Sequence, residues 1–89
     1  MAYFVYILEC FIKGEFSCFY VDQTNNLRER MREHYQSVRE HDTNKFIGRF
    51  DYVKLTWSKK VPTRADALRL ESYLKSLSPS GKEDYMDDN

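Results

Sequence analysis

The sequence predicts an α/β (α+β) domain with the element order ββαβαα, in which a three-stranded mixed sheet is flanked by helices. The first ten residues are β-rich and nearly continuously apolar, as is typical of a strand buried on both faces. A turn containing glycine and a second β-rich run follow. Two later segments carry apolar residues at the three- and four-residue spacing of amphipathic helices.

The composition is that of a small globular protein. The chain has 89 residues, 42% of them hydrophobic and 31% charged, which predicts one domain over residues 1–89 rather than a disordered segment. The apolar N-terminus has no basic leader and is too short to cross a bilayer. We therefore expect a cytoplasmic protein without membrane contact.

The net charge is zero, which argues against strong non-specific binding to polyanions. The distribution is uneven, because residues 28–75 carry twelve basic and seven acidic side chains, a net charge of +5. Residues 1–27 and 76–89 carry net charges of −2 and −3. A local phosphate-binding face in the middle of the chain is compatible with this pattern, as is an ordinary solvated surface.

Local signals predict the first hairpin and the first helix. Gly14 marks a turn within residues 3–22. Asn26, with Glu29 three residues later, predicts the N-cap of a helix that runs to about Val38. The apolar face of this helix repeats every fourth residue, at Leu27, Met31 and Tyr35.

The remaining elements follow from turn and cap signals. Residues 39–50 have no sustained period and are predicted to be a loop, and alternation predicts a third strand at about 51–57. Thr63 is the expected N-cap of a second helix. Pro79 suits the first turn of a short third helix near 79–86, after which we expect fraying.

The two cysteines are expected to be free thiols that pack as small hydrophobic residues. Cys10 and Cys18 could also face one another across the hairpin and form a disulfide. A zinc site with His34 and His41 is a weaker alternative, because the four residues lack close-paired ligand spacing.

Arg30 and His34 are candidate phosphate-binding residues in the first helix. They are four residues apart and therefore share a face. A guanidinium is a bidentate donor to a phosphate, and an imidazole can carry a proton. The alternative is a surface arginine beside a histidine at the helix boundary.

Glu71 is a candidate ligand for a hard divalent cation. It lies between leucines in the second helix, so its carboxylate is expected to be partly shielded. The alternative is an ordinary i,i+4 ion pair with Lys75. Tyr6 and Tyr20 lie in the middle of strands, where a phenol is either a core residue or a group that orients water or accepts a proton.

Taken in order, these segments resemble the GIY-YIG nuclease superfamily over about residues 3–78, and above all its small stand-alone members. The matching positions are Val5-Tyr6-Ile7-Leu8 in the first strand, Thr24, Leu27, Arg30 and His34 in a Thr-x-x-Leu-x-x-Arg-x-x-x-His pattern, Lys45 in the central loop, and Ala67, Leu68 and Glu71 in an Ala-Leu-x-x-Glu pattern.

The resemblance implies a metal-dependent endonuclease that hydrolyses DNA phosphodiesters, with RNA less expected, and that selects structured substrates. Arg30 would stabilise charge on the scissile phosphate, and Glu71 would be the single protein ligand of one Mg²⁺ or Mn²⁺. Tyr6 would be a general base or orient water, assisted by Tyr20 and His34. The implied nucleic-acid contacts are Thr24, Lys45 and Arg49. A protein partner would supply further specificity.

The sequence departs from the family pattern at two positions. Phe4 occupies the first motif position, which is usually glycine or another small residue, and Asp22 replaces the glycine that ends the second motif. A carboxylate at Asp22 adds bulk and negative charge where a phosphate should approach. The alternative to an active nuclease is therefore a catalytically impaired nucleic-acid-binding module with the same fold.

Overall fold

The computed structural model describes residues 2–89 and has the predicted ββαβαα order. The elements are β1 (Tyr3–Ile12), β2 (Glu15–Thr24), α1 (Leu27–Glu40), β3 (Tyr52–Val61), α2 (Arg64–Ser76) and α3 (Pro79–Asp88). A 3-10 turn, Phe46–Arg49, lies in the loop between α1 and β3. No helix within residues 2–89 combines the length and the apolar character that a membrane span requires.

The sheet has the strand order β2-β1-β3. The predicted fold class is confirmed, with one difference, because both strand pairs are antiparallel and the sheet is therefore not mixed. The reason is the position of β1. β2 and β3 run in the same direction, but β1 lies between them and pairs with each, so no parallel pair forms.

The first hairpin closes through a two-residue turn. Lys13 and Gly14 both have positive φ, 52° and 80°, as a type I′ turn requires. The backbone N–H of Lys13 also donates to Asp51 Oδ2 at 2.7 Å, which fastens the turn to the loop before β3. Gly14 was the residue that the sequence indicated for this turn.

The two faces of β1 belong to two different cores. Tyr6, Leu8 and Cys10 point to the face covered by α1, whereas Val5 and Ile7 point to the face covered by α2 and α3. All five side chains are fully buried. The nearly unbroken apolar run at the N-terminus is therefore the central strand of the sheet, as its composition predicted.

The predicted helix caps are confirmed, while some boundaries lie further along the chain than expected. Asn26 accepts a hydrogen bond from the Glu29 N–H, and Thr63 accepts one from the Asp66 N–H, each at 3.1 Å. β3 continues to Val61 because Tyr3 pairs with it, so cross-strand pairing extends the strand through polar residues.

The third helix also runs further than predicted. It extends to Asp88, beyond the point at which fraying was expected. Its end is held by Asn89, whose carbonyl accepts from Trp57 Nε1 at 3.3 Å and whose side-chain amide donates to the Tyr85 carbonyl at 2.9 Å. These contacts are tertiary and leave no local sequence signal.

Candidate active site

The site is assembled on the face of the sheet that α1 covers. Tyr6 on β1 and Asp22 on β2 are cross-strand partners, so their side chains leave the sheet on the same side. Tyr20 is two residues before Asp22 and shares that side. Arg30 and His34 lie one turn apart on α1. The register of one hairpin and the period of one helix thus bring five polar side chains together.

The Asp22 carboxylate is the centre of this cluster. Its Oδ2 accepts from Arg30 Nη1 at 2.8 Å and from the Tyr20 hydroxyl at 3.0 Å, with the Tyr6 hydroxyl at 3.5 Å. Its Oδ1 accepts from the Gln23 N–H at 2.8 Å. The donors that Asp22 engages are of the kind that also bind phosphate oxygens.

Tyr6 and His34 form a buried pair behind Asp22. The Tyr6 hydroxyl and His34 Nε2 are 2.7 Å apart, and the two side chains are nearly inaccessible. Burial, together with the charge of Asp22, raises the pKa of Tyr6 far above its usual value. Burial, followed by the charge of Arg30, lowers the pKa of His34. Both groups are therefore neutral near pH 7.

The pKa of Tyr20 is affected by burial and by the negative charges of both Asp22 and Glu71. Burial raises its pKa most, and the negative charges of Asp22 and Glu71 raise it further. Tyr20 also lies edge-on to His34, with ring centroids 5.6 Å apart.

Glu71 lies on α2, whose apolar side chains pack on the face of the sheet opposite to α1. Its side chain is only 14% exposed and forms an ion pair with Lys75 Nζ at 2.6 Å. Among residues 2–89, neither a hydrogen bond nor an ion pair joins Glu71 to Arg30. The negative charge of Glu71 nevertheless contributes to the raised pKa of Tyr20.

The three predicted nucleic-acid contacts have different positions. Lys45 lines a cleft of about 250 Å³ beside Arg30 and His34. Thr24 is 8% exposed, and its hydroxyl accepts from the Asn26 N–H at 3.1 Å, so it fixes the start of α1. Arg49 is exposed, with its guanidinium carbon 4.6 Å from the centroid of Phe46.

Two residues at the site were not identified from the sequence. Glu33 lines the cleft and lies 3.5 Å from Arg30 Nε, a contact that i,i+3 spacing could have suggested. Phe46 stacks on Tyr20, with ring centroids 5.7 Å apart and planes 19° from parallel. No local pattern could have indicated Phe46, because it lies in an aperiodic loop.

Carboxylate oxygens are the donor atoms at the site that suit a hard cation. Within residues 2–89, no three His, Cys, Asp or Glu side chains are placed to hold a metal together. A site that resembles a zinc finger is thus not present there, and Cys10 and Cys18 are free thiols that face one another across the hairpin. The shielded carboxylate of Glu71 fits a Mg²⁺-type ion whose other ligands are water and phosphate.

The fold places the chain in a class of endonuclease-like, nucleic-acid-binding domains. The family model of the GIY-YIG catalytic domain matches residues 2–84, and the chain belongs to that family. The structure is similar to the solution NMR structure of a UPF0213 protein from Bacillus halodurans, at 26% identity and a TM-score of 0.56, covering 98% of this chain and 84% of that one. No curated protein matches the sequence significantly.

Proposed function

We propose that this domain hydrolyses phosphodiester bonds in DNA, with a preference for branched or flapped structures, and uses one Mg²⁺ or Mn²⁺ ion. The observation that supports this most directly is one hydrogen-bonded cluster, in which Tyr20 and Arg30 contact Asp22 and Tyr6 contacts His34. Arg30 and His34 also line the adjacent small cleft. Family membership supports the endonuclease-like chemistry, whereas the substrate and the ion are our proposal.

Arg30 is the proposed phosphate-binding group. Its side chain is one-third exposed, so part of the guanidinium is accessible from the cleft while Nη1 holds Asp22. A guanidinium has five N–H donors in a planar fork, which leaves donors for the equatorial oxygens of a phosphate. Lys45 adds a second positive charge to the same cleft.

Tyr6 and His34 are proposed to position the attacking water and accept its proton. The raised pKa of Tyr6 keeps the phenol protonated, so Tyr6 is better suited to orient water than to act as a phenolate base. Neutral His34 can accept a proton, directly or through the hydroxyl of Tyr6 at 2.7 Å. Which of the two donates the hydrogen bond between them depends on the imidazole tautomer.

Glu71 is the proposed metal ligand. Its carboxylate is mostly buried but remains partly accessible to solvent. Its ion-pair partner Lys75 is more than half exposed, so the ammonium can move to another rotamer and leave the carboxylate free to bind an ion. An ion held there supplies positive charge to stabilise the leaving oxygen. A single protein carboxylate supports a one-ion arrangement.

The test is cleavage of flapped, branched and single-stranded DNA, with RNA in parallel, in Mg²⁺ or Mn²⁺. Arg30→Ala and Glu71→Gln should each lower the rate by about 100-fold or more. Arg69→Ala and Glu40→Gln are matched controls on exposed helix faces and should retain the rate. Full activity in both site variants would place the chemistry elsewhere and refute the proposal.

A catalytically impaired binding module is the second candidate, and the Asp22–Arg30 ion pair at 2.8 Å favours it. In this case the carboxylate holds Arg30 and repels the phosphate. The native protein should then bind DNA without turnover, with an affinity that falls between 50 and 200 mM salt. Asp22→Gly should raise cleavage strongly, whereas lower cleavage in Asp22→Gly would show that the carboxylate assists catalysis.

A further inference from the structure

A second concave surface lies on the other face of the sheet from the candidate active site. It is a groove of about 600 Å³ between the strands and α3. Phe19 and Trp57 pack with the core on the α2 and α3 side, which places the groove opposite α1. We call this surface the acidic groove, and its lining residues are Glu9, Phe16, Phe19, Thr56, Trp57, Glu83, Met86 and Asp87.

The acidic groove carries three carboxylates and no basic side chain among its lining residues. Glu83 and Asp87 are exposed and four residues apart on α3, so like charges face each other along the helix. Within residues 2–89 neither has an ion pair. Bound positive charge would relieve this repulsion.

Glu9 contributes the third carboxylate from the floor of the groove. Its Oε1 accepts a hydrogen bond from the Thr56 hydroxyl at 2.9 Å, which orients the carboxylate. Lys54 is the cross-strand partner of Glu9, yet no ion pair joins them in the part of the chain that the structure describes. The Glu9 carboxylate therefore has no ion-pair partner among the described residues that would compete with a cationic ligand.

Aromatic rings form the other half of the groove. Phe16 is 44% exposed, so a large part of its apolar ring is accessible to a ligand. Its ring lies 4.8 Å from that of Phe19, and Trp57 lines the same groove. An aromatic face attracts cations, and a planar guanidinium both stacks on it and forms bidentate hydrogen bonds to carboxylates.

We propose that the acidic groove binds an arginine-rich, extended segment of a partner protein. Charge complementarity identifies the occupant, because three carboxylates repel a nucleic-acid backbone and attract guanidinium groups. The position opposite α1 means that a partner there leaves the active-site cleft open. One chain can therefore hold nucleic acid on one face and a protein on the other.

Trp57 is the only tryptophan of the chain and lines the acidic groove, so its fluorescence reports on binding there. A short peptide of alternating arginine and glycine should change Trp57 fluorescence in a saturable manner. The double variant Glu83→Gln/Asp87→Asn should bind it about tenfold or more weakly, and added salt should reduce the affinity. Glu40→Gln, on α1, is the matched control and should bind as the native protein does.

Several outcomes would overturn the proposal. Unchanged affinity in the double variant would show that the carboxylates play no part, and equal binding of a glutamate–glycine peptide would show that charge sign does not matter. Equal binding of a lysine–glycine peptide would overturn the assignment to guanidinium. A dimer in sedimentation that the double variant abolishes would identify a second copy of this chain as the occupant instead.

Discussion

At the scale of single residues, the site is organised by the ion pair and the hydrogen bonds that Asp22 forms with its neighbours. The carboxylate engages Arg30 Nη1 and the Tyr20 hydroxyl, while the pair behind it, Tyr6 and His34, stays neutral. A neutral imidazole beside a guanidinium is expected, because protonation would place two positive charges together in a poorly solvated space. This arrangement has a measurable consequence for stability.

The pKa of His34 lies below its ordinary value of 6.5 in the folded protein, because of burial and then the charge of Arg30. The unfolded chain takes up the proton as the pH falls through about 6.5, whereas the folded protein does so only at lower pH. The unfolded state therefore binds more protons in that interval, and stability falls as the pH decreases. We expect a lower urea midpoint at about pH 5.5 than at about pH 7.5.

The control compares the two histidines of the chain. His34→Gln should flatten the dependence of the urea midpoint on pH, whereas His41→Gln should keep it, since His41 is exposed at the end of α1. The same slope in the native protein and in His34→Gln would contradict the prediction. The pH interval between about 5.5 and 7.5 lies above the range in which most carboxylates titrate.

The sequence was sufficient to identify most of these residues, but not the hydrogen bonds and the ion pair that join them. Tyr6, Arg30 and His34 were found because they match the family pattern, and Tyr20 because it lies in the middle of a strand. The central position of Asp22 could not be read from the motif, because it depends on the pairing of Tyr6 with Asp22 in the hairpin register. The register is a tertiary property that turn geometry and burial set together.

At the scale of elements, the loop after α1 determines where Lys45 lies. The Asp42 N–H bonds the Ser37 carbonyl at 3.1 Å, and the Lys45 N–H bonds the Asp42 carbonyl at 3.0 Å. Gly48 packs against the same backbone, since a Cβ there would lie 1.9 Å from the Asp42 oxygen. Only glycine allows this close approach.

Gly48→Ala should therefore destabilise the protein by about 1–3 kcal/mol, because backbone atoms must move to admit the methyl group. Thermal unfolding should show a decrease of several degrees in Tm, about 4–8 °C per kcal/mol for a domain of this size. DNA binding should weaken as well, because the loop that holds Lys45 shifts.

Gly81→Ala is the matched control, since Gly81 lies in the first turn of α3 and the nearest contacts of an added Cβ would be side-chain atoms of Leu77 and Ser78 at 3.3 Å. It should change stability by less than about 1 kcal/mol. Equal Tm values for Gly48→Ala and the native protein would show that the loop can relax freely.

The elements themselves were largely predictable, and the exceptions have a common cause. Caps and periodicity are local, so Asn26 and Thr63 were identified as helix starts. The 3-10 turn Phe46–Arg49 and the last residues of β3 have no comparable local signal. They form because distant segments supply hydrogen-bond partners and packing.

At the scale of the whole molecule, one sheet separates two small cores that share β1. Leu8 belongs to the core under α1 and Leu74 to the core under α2, and both are fully buried. Because each core is thin and both depend on the same strand, we expect neither to persist without the other.

Leu8→Ala and Leu74→Ala should each cost about 2–5 kcal/mol. In each variant, urea unfolding followed by circular dichroism and by Trp57 fluorescence should give coincident midpoints. Leu68→Ala is the control, since Leu68 is 46% exposed on α2, and should change stability by no more than about 0.5 kcal/mol. A Leu8→Ala variant with separate transitions for the two signals would show that the faces unfold independently.

The placement of β1 between β2 and β3 also bears on biosynthesis. A nascent chain translated only as far as α1 can close the hairpin, but β3 has not yet been made. One side of the most apolar strand then presents free backbone donors and acceptors to other nascent chains. A ribosomal pause between the codons for α1 and β3 should therefore increase aggregation more than a pause after β3.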